Sequence, residues 1–232
     1  MMALSPRRRA AELRHLRAPV PVRFPESEEM PEGHAHLILR TFVYQLLRYA
    51  LGPGHTVGSD QFIYWLPTDP RRCLAPDVYV KLGEPAALCG SWKSWERGAP
   101  ELAIEILSPH GRDWLAWGEK LARYAELGVE ELLCFDGDRP DGQRMRAWDR
   151  VDGDFVEREV QGDETPCVTL GLAWVVRPVD IVPVGLRLVD GAGVLVPSEV
   201  EALAEKGRLA EVARASAEAR VRELEEELRR RR

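Results

Sequence analysis

The sequence predicts an α/β fold, a mixed sheet flanked by helices and followed by a long C-terminal helix. Three observations predict it. Apolar residues recur at helical spacing in two separate stretches, strand-like runs lie before and after the second stretch, and no proline occurs from Ser198 to Arg232. Helix, strands, helix, strands in that order places helices on the faces of one sheet.

The 232 residues suffice for one domain of about 150 residues with a full core, plus appendages. No apolar stretch approaches the ~20 residues of a membrane span. Arg7, Arg8 and Arg9 are not followed by an apolar segment, so the N-terminus is not a secretory signal and a cytoplasmic protein is expected. Cys73, Cys89, Cys134 and Cys167 lie far apart, which argues against zinc and against a disulfide framework. The net charge of −6 means that any polyanionic partner must meet a local basic surface.

Residues 1–29 are basic, then proline-rich, and read as an N-terminal arm. A first helix starts near Glu32 and carries Leu39, Phe42, Val43, Leu46, Leu47 and Ala50 at helical spacing until Gly52-Pro53-Gly54 stops it. "TVGSDQFIYWLP" and "CLAPDVYVKL" read as two strands joined by the turn "TDPRR". A tryptophan-rich loop leads to the strand "ELAIEILS". A second helix, roughly Asp113 to Leu127, ends at Gly128. "EELLCFD", "RMRAWDR" and "DFVEREV" give three more strands. This domain is assigned to residues 30–180, a hairpin around Asp190-Gly191 to residues 181–197, and a helix to residues 198–232. In that helix Val200, Leu203, Gly207, Ala210, Arg214, Ala217, Val221, Leu224 and Leu228 follow a heptad seam, weak in its middle.

The chemistry concentrates in two strands and the second helix. Side chains alternate faces along a strand, so Ala103, Glu105 and Leu107 share one face of "ELAIEIL", and Ala75, Asp77 and Tyr79 share one face of "APDVYV". As neighbours, these strands would bring Asp77 and Glu105 within about 5 Å. Two carboxylates that close call for a cation, and Mg2+ suits hard oxygen ligands. Lys120 borders the apolar stripe of the second helix and can lean over the sheet to hold an attacking water or stabilise a charged phosphorus. The spacing fits a magnesium-dependent phosphodiesterase.

The ordered set "APDVYV", "PELAIEILSP" and "EKLARYAELGVEELLCFD" closely resembles the Uma family of putative restriction endonucleases, part of the PD-(D/E)XK nuclease superfamily. The likeness runs from about Met30 to Val176. Pro76-Asp77 matches the PD element and Glu105 the (D/E). The strand position of the superfamily lysine is Leu107, and Lys120 on the following helix matches the displaced lysine of this family. Glu32 and His36, in "MPEGHAH", correspond to the polar residues that begin the first helix. The resemblance implies a restriction-endonuclease-like fold and a magnesium-dependent DNA endonuclease, with Mn2+ as a substitute metal. Asp77, Glu105 and the backbone carbonyl of Ile106 would be its metal ligands and Lys120 would orient the nucleophile.

Structural readings stand beside the functional ones. Glu105 can be a satisfied carboxylate paired to Lys120 or Arg112, Asp77 a turn former, and Lys120 a solvated helix lysine. His34, His36, His110, Lys93 and the terminal arginines read more simply as surface groups. Two alternatives to an endonuclease follow: a non-cleaving nucleic-acid-binding or regulatory protein on a nuclease fold, and a coiled-coil assembly protein. DNA is the expected partner, with a homodimer in which the C-terminal helix is the candidate contact.

Overall fold

The computed structural model describes residues 33–107 and 114–231. The arm at residues 1–29, Glu32, His110 and Arg112 lie outside the described residues. In chain order the elements are α1 (His34–Leu51), β1 (Thr56–Gly58), β2 (Ile63–Tyr64), β3 (Cys73–Leu74), β4 (Val78–Lys81), β5 (Trp92–Lys93), α2 (Ser94–Arg97) and β6 (Leu102–Ile106). Then follow α3 (Trp114–Leu127), β7 (Glu131–Phe135), β8 (Met145–Val151), β9 (Asp154–Arg158), β10 (Glu164–Cys167), β11 (Leu172–Val179), β12 (Val182–Val189) and α4 (Glu199–Arg230).

The main sheet has six strands in the order β1-β4-β6-β7-β8-β9. Only β6 and β7 run parallel, joined by a crossover through α3; the other pairs are antiparallel. This is the mixed α/β sheet that the element order predicts. Strand alternation divides the core into two layers. Val78, Val80, Leu102, Ile104, Ile106, Leu133 and Phe135 face α1, where Leu39, Val43, Leu46 and Leu47 cover them. Tyr79, Ala103, Leu132 and Cys134 face α3, covered by Trp117, Tyr124 and Leu127. Burying a single Leu or Ile side chain contributes about 1.5–3 kcal/mol, so this double-sided packing fixes β6 at the centre. All five residues of β6 are buried.

Both helices stop where the sequence places their ends. Gly128 has φ +95°, a left-handed conformation open to glycine at little cost, and its N–H donates to the Tyr124 carbonyl at 3.2 Å. The chain then turns directly into β7.

Two expectations shift. The two strands anticipated before the tryptophan-rich loop each break in the middle. Their outer parts, β1 and β4, pair in the main sheet, while β2 pairs with both β3 and β5 in a second, three-stranded sheet. The break lies at Asp60, with φ +49°, whose N–H donates to the Pro76 carbonyl at 3.0 Å. The hairpin expected around Asp190-Gly191 is a minor feature, with only a Val189–Leu195 bridge. The extended hairpin turns earlier, at Asp180-Ile181, where β11 pairs with β12; together with β10 they form a third sheet. Its residues Trp174, Leu186 and Leu188 complete the core beneath α1.

α4 begins in a capping box. Ser198 N–H donates to Glu201 Oε2 at 2.8 Å and the Ser198 hydroxyl accepts from Glu201 N–H at 3.3 Å. Glu201 also takes both Nη atoms of the buried Arg187, each at 2.9 Å. This bidentate pair ties the helix base to β12. No residue within α4 is buried.

Candidate active site

The antiparallel register of β4 and β6 pairs Val78 with Ile104 and Tyr79 with Ala103. Continued by one residue, it sets Asp77 opposite Glu105, as the alternation predicts. Asp77 sits just before β4 begins, and its carboxylate replaces the missing backbone partner: the Ile106 N–H donates to Asp77 Oδ2 at 2.7 Å. The Ser59 hydroxyl donates to the Asp77 carbonyl at 2.7 Å and fixes the bend. His36, in the first turn of α1, places Nε2 3.2 Å from Asp77 Oδ1.

Glu105 is 4% exposed. Lys120 reaches it from α3, with Nζ 2.7 Å from Oε2. Tyr124, one turn further along α3, donates its hydroxyl to Glu105 Oε1. The Lys120 ammonium also lies 5.7 Å from the centroid of the Trp117 ring, which steers its stem along the helix surface.

Burial raises the Glu105 carboxyl above its ordinary 4.5; Lys120 pulls it down and Asp77 pushes it up again. Burial, reinforced by the Glu105 charge, holds the Tyr124 phenol well above its ordinary 10.0, so Tyr124 remains a hydrogen donor. The Cys134 thiol, beside Glu105 in the β6–β7 register, is pushed up by burial and is no nucleophile.

Among the described residues no three His, Cys, Asp or Glu side chains gather into a metal cage. A cation here would rest on the two carboxylates and on backbone oxygen, and that donor set fits. The oxygens are hard, they face each other, and the Asp77 charge already disfavours ionised Glu105. Lys120 and His36 supply positive or donating groups to the outer oxygens of both acids.

Asp77, Glu105, Ile106 and Lys120 are therefore brought together, and His36 joins them. The sequence singles out Lys120 on this helix and not Tyr124. Its position four residues after Lys120 was the available signal, since both then project from one face of α3. Ser59 left no signal, because its role depends on the bend at Asp60.

An α/β fold built on a mixed sheet, with an acid pair on adjacent strands and a helix-borne lysine, defines the class of restriction-endonuclease-like proteins. The chain belongs to the Uma2 family, described as putative restriction endonuclease, which it matches over residues 26–181. That match extends a few residues beyond both ends of the likeness read from the motifs. A similar solved structure is that of a putative nuclease belonging to DUF820 from Anabaena variabilis ATCC 29413. It is 18% identical, with a TM-score of 0.38, and the match covers 52% of this chain and 65% of that one. The chain thus spans less than two thirds of that protein. No curated protein matches the sequence.

Proposed function

We propose that this protein is a magnesium-dependent DNA endonuclease that hydrolyses phosphodiester bonds. The observation that supports this most is Glu105, a buried carboxylate opposed by Asp77 and reached by an ammonium from a different element. Asp77, Glu105 and the Ile106 carbonyl would hold Mg2+, or Mn2+ in its place. When bound, the metal would supply a water of lowered pKa and neutralise a non-bridging phosphate oxygen.

The remaining tasks belong to the chain. Tyr124 fixes the rotamer of Glu105 by holding Oε1. The Ile106 amide and His36 hold the two oxygens of Asp77, so neither acid needs to reorganise when substrate arrives. Lys120 is one-third exposed and its three donors exceed the single one that Glu105 takes. It would orient the nucleophile and stabilise charge building on phosphorus. Glu32 would extend the site if it follows the family pattern. A cytoplasmic setting belongs to this proposal; no described helix is long and apolar enough to cross a membrane.

A homodimer with one site per strand is part of the same reading. On α4, Val221, Leu224 and Leu228 are 54%, 43% and 62% exposed along the heptad seam. Lys206 and Arg220 flank the seam on one side, and Glu211 and Glu225 stand five residues later on the other. Those are the positions that a parallel second copy would bring together, each pair opposite in charge. Arg214 within the seam opposes tight packing, although Glu218 lies 3.5 Å from its guanidinium.

One observation favours a second reading, a nuclease fold that binds without cutting. Every oxygen of Asp77 and Glu105 has a donor inside the protein, so the site is satisfied without metal. Incubation with plasmid, single-stranded DNA and RNA, with Mg2+, Mn2+ or chelator, separates the readings. Metal-dependent cleavage lost in Glu105→Gln supports the endonuclease. Binding of DNA with no product under any metal would overturn it.

A further inference from the structure

His36, Arg40, Tyr44 and Arg48 recur every four residues along α1 and form one stripe. His36 ends the stripe at the Asp77 carboxylate. The rest of it opens into a cleft of about 920 Å³, walled on the far side by edge strand β1, by Gln61 and by the segment before β5. The cleft has a fixed floor. The Tyr79 hydroxyl donates to Gln61 Oε1 at 2.5 Å, and the Gln61 amide donates to the Cys89 carbonyl at 2.6 Å. A Cβ on Gly58 would lie 2.2 Å from the Tyr79 ring, so glycine there is what lets the tyrosine lie against β1.

Arg40 is held in place by Asp60 at 2.8 Å. Arg48 is exposed and stacks its guanidinium 5.4 Å from the Tyr44 ring centroid. Tyr49, also lining the cleft, is 45% exposed.

We propose that this cleft is the track of a DNA strand leading away from the carboxylate site. Arg40 and Arg48 bind backbone phosphates, and Tyr44 and Tyr49 offer ring faces to bases. Four features carry the assignment. The track is continuous with the site through His36 and Arg40, one turn apart. Its two arginines, Arg48 exposed and Arg40 14% exposed and paired to Asp60, outnumber the one carboxylate of the lining, Glu199, on a chain of net charge −6, and a polyanion requires such a local basic surface. They stand about 12 Å apart along the helix axis, roughly three to four nucleotides of a B-form strand. Arginine beside exposed tyrosine is also the chemistry of base-stacking platforms. The placement beside a scissile phosphate rests on the nuclease reading, whereas binding can be measured without it.

The test uses the full chain with chelator present, so that nothing is cut, and fluorescence anisotropy of labelled single-stranded and duplex DNA over a salt series. Arg48→Ala should weaken binding about threefold to tenfold and lower the salt slope by about one. Tyr49→Ala should weaken single-stranded more than duplex binding. Arg123→Ala, on α3 at the other face of the sheet, should change neither. Wild-type affinity and slope in Arg48→Ala would overturn the track, as would an equal loss in Arg123→Ala, a wild type that binds neither DNA, or tighter binding of RNA of the same sequence. Cleavage by wild type with an unaffected Arg48→Ala ends the track and leaves the nuclease. Arg48-dependent binding without cleavage in Mg2+ ends the nuclease and leaves the track.

Discussion

Glu105 and Glu131 are buried glutamates on neighbouring parallel strands, 4% and 2% exposed, and they are held in different ways. Glu131 stands at the start of β7. It takes the Val168 and Thr169 amides at 3.1 and 2.8 Å and the Arg158 guanidinium at 3.0 Å. Arg158, itself 13% exposed, in turn holds Asp149. Such a network locks β7, β9 and the turn after β10 together. Glu105 lies near the end of β6, where α/β sheets open their ligand crevices. Among the described residues it takes no backbone amide; it faces a second carboxylate and depends on a lysine that is one-third exposed. One acid is surrounded by rigid donors, the other by groups that can exchange partners. That contrast is what separates a structural carboxylate from a candidate catalytic one.

The comparison breaks most sharply in cleavage. Glu105→Gln and Asp77→Asn should each lower the cleavage rate by about a hundredfold or more while thermal melting stays near wild type. Wild-type cutting in either variant would return Glu105 to the structural class. Lys120→Met should lower turnover by about 10²–10³ and leave DNA affinity unchanged, as read from single-turnover kinetics beside anisotropy. A variant that loses stability and keeps its specific activity makes Lys120 a structural partner.

Glu131→Ala should do the reverse. It leaves the Val168 and Thr169 amides without their acceptor and takes one carboxylate from Arg158, which keeps Asp149, and chemical denaturation should register a loss of about 1–3 kcal/mol. Cutting per folded molecule should be unchanged.

A smaller effect is the pH dependence of the metal-free protein. Because the folded Glu105 carboxyl lies above its ordinary 4.5, the folded state binds more protons than the unfolded state just above that value. The stability from this group is fully present below 4.5 and is lost as pH rises through the folded value. Melting measured from about pH 4 to pH 8 should show this fall in wild type and not in Glu105→Gln. Equal profiles would place the pH sensitivity elsewhere.

The smallest effect concerns α4. Charge reversal of Glu211 and Glu225 to Lys, or of Lys206 and Arg220 to Glu, should weaken self-association of the full chain. A mixture of the two variants should restore it, each pair contributing a few tenths of a kcal/mol. Light scattering over a concentration series measures this, and unchanged masses in all samples would remove the parallel pairing.

The sequence by itself determined the two helix faces, the alternation that divides β6 between two cores, and the faces that Asp77 and Glu105 take on their own strands. Each follows from a local period of two or about 3.6 residues. Lys120 was legible only as one member of an ordered set, because a helix lysine carries no signal alone. Tertiary structure decided the rest. Tyr124 became a partner of Glu105 because α3 packs directly over β6. The two early strands broke because Asp60 and Asp77 bend the chain between sheets, and no periodicity marks a bend. The sheet of β10, β11 and β12 went unanticipated because its alternation is interrupted: the register of β11 on β12 shifts between Arg177 and Val179. What completes a buried carboxylate is set by which distant segments pack against it, a property of long-range contacts that local sequence does not carry.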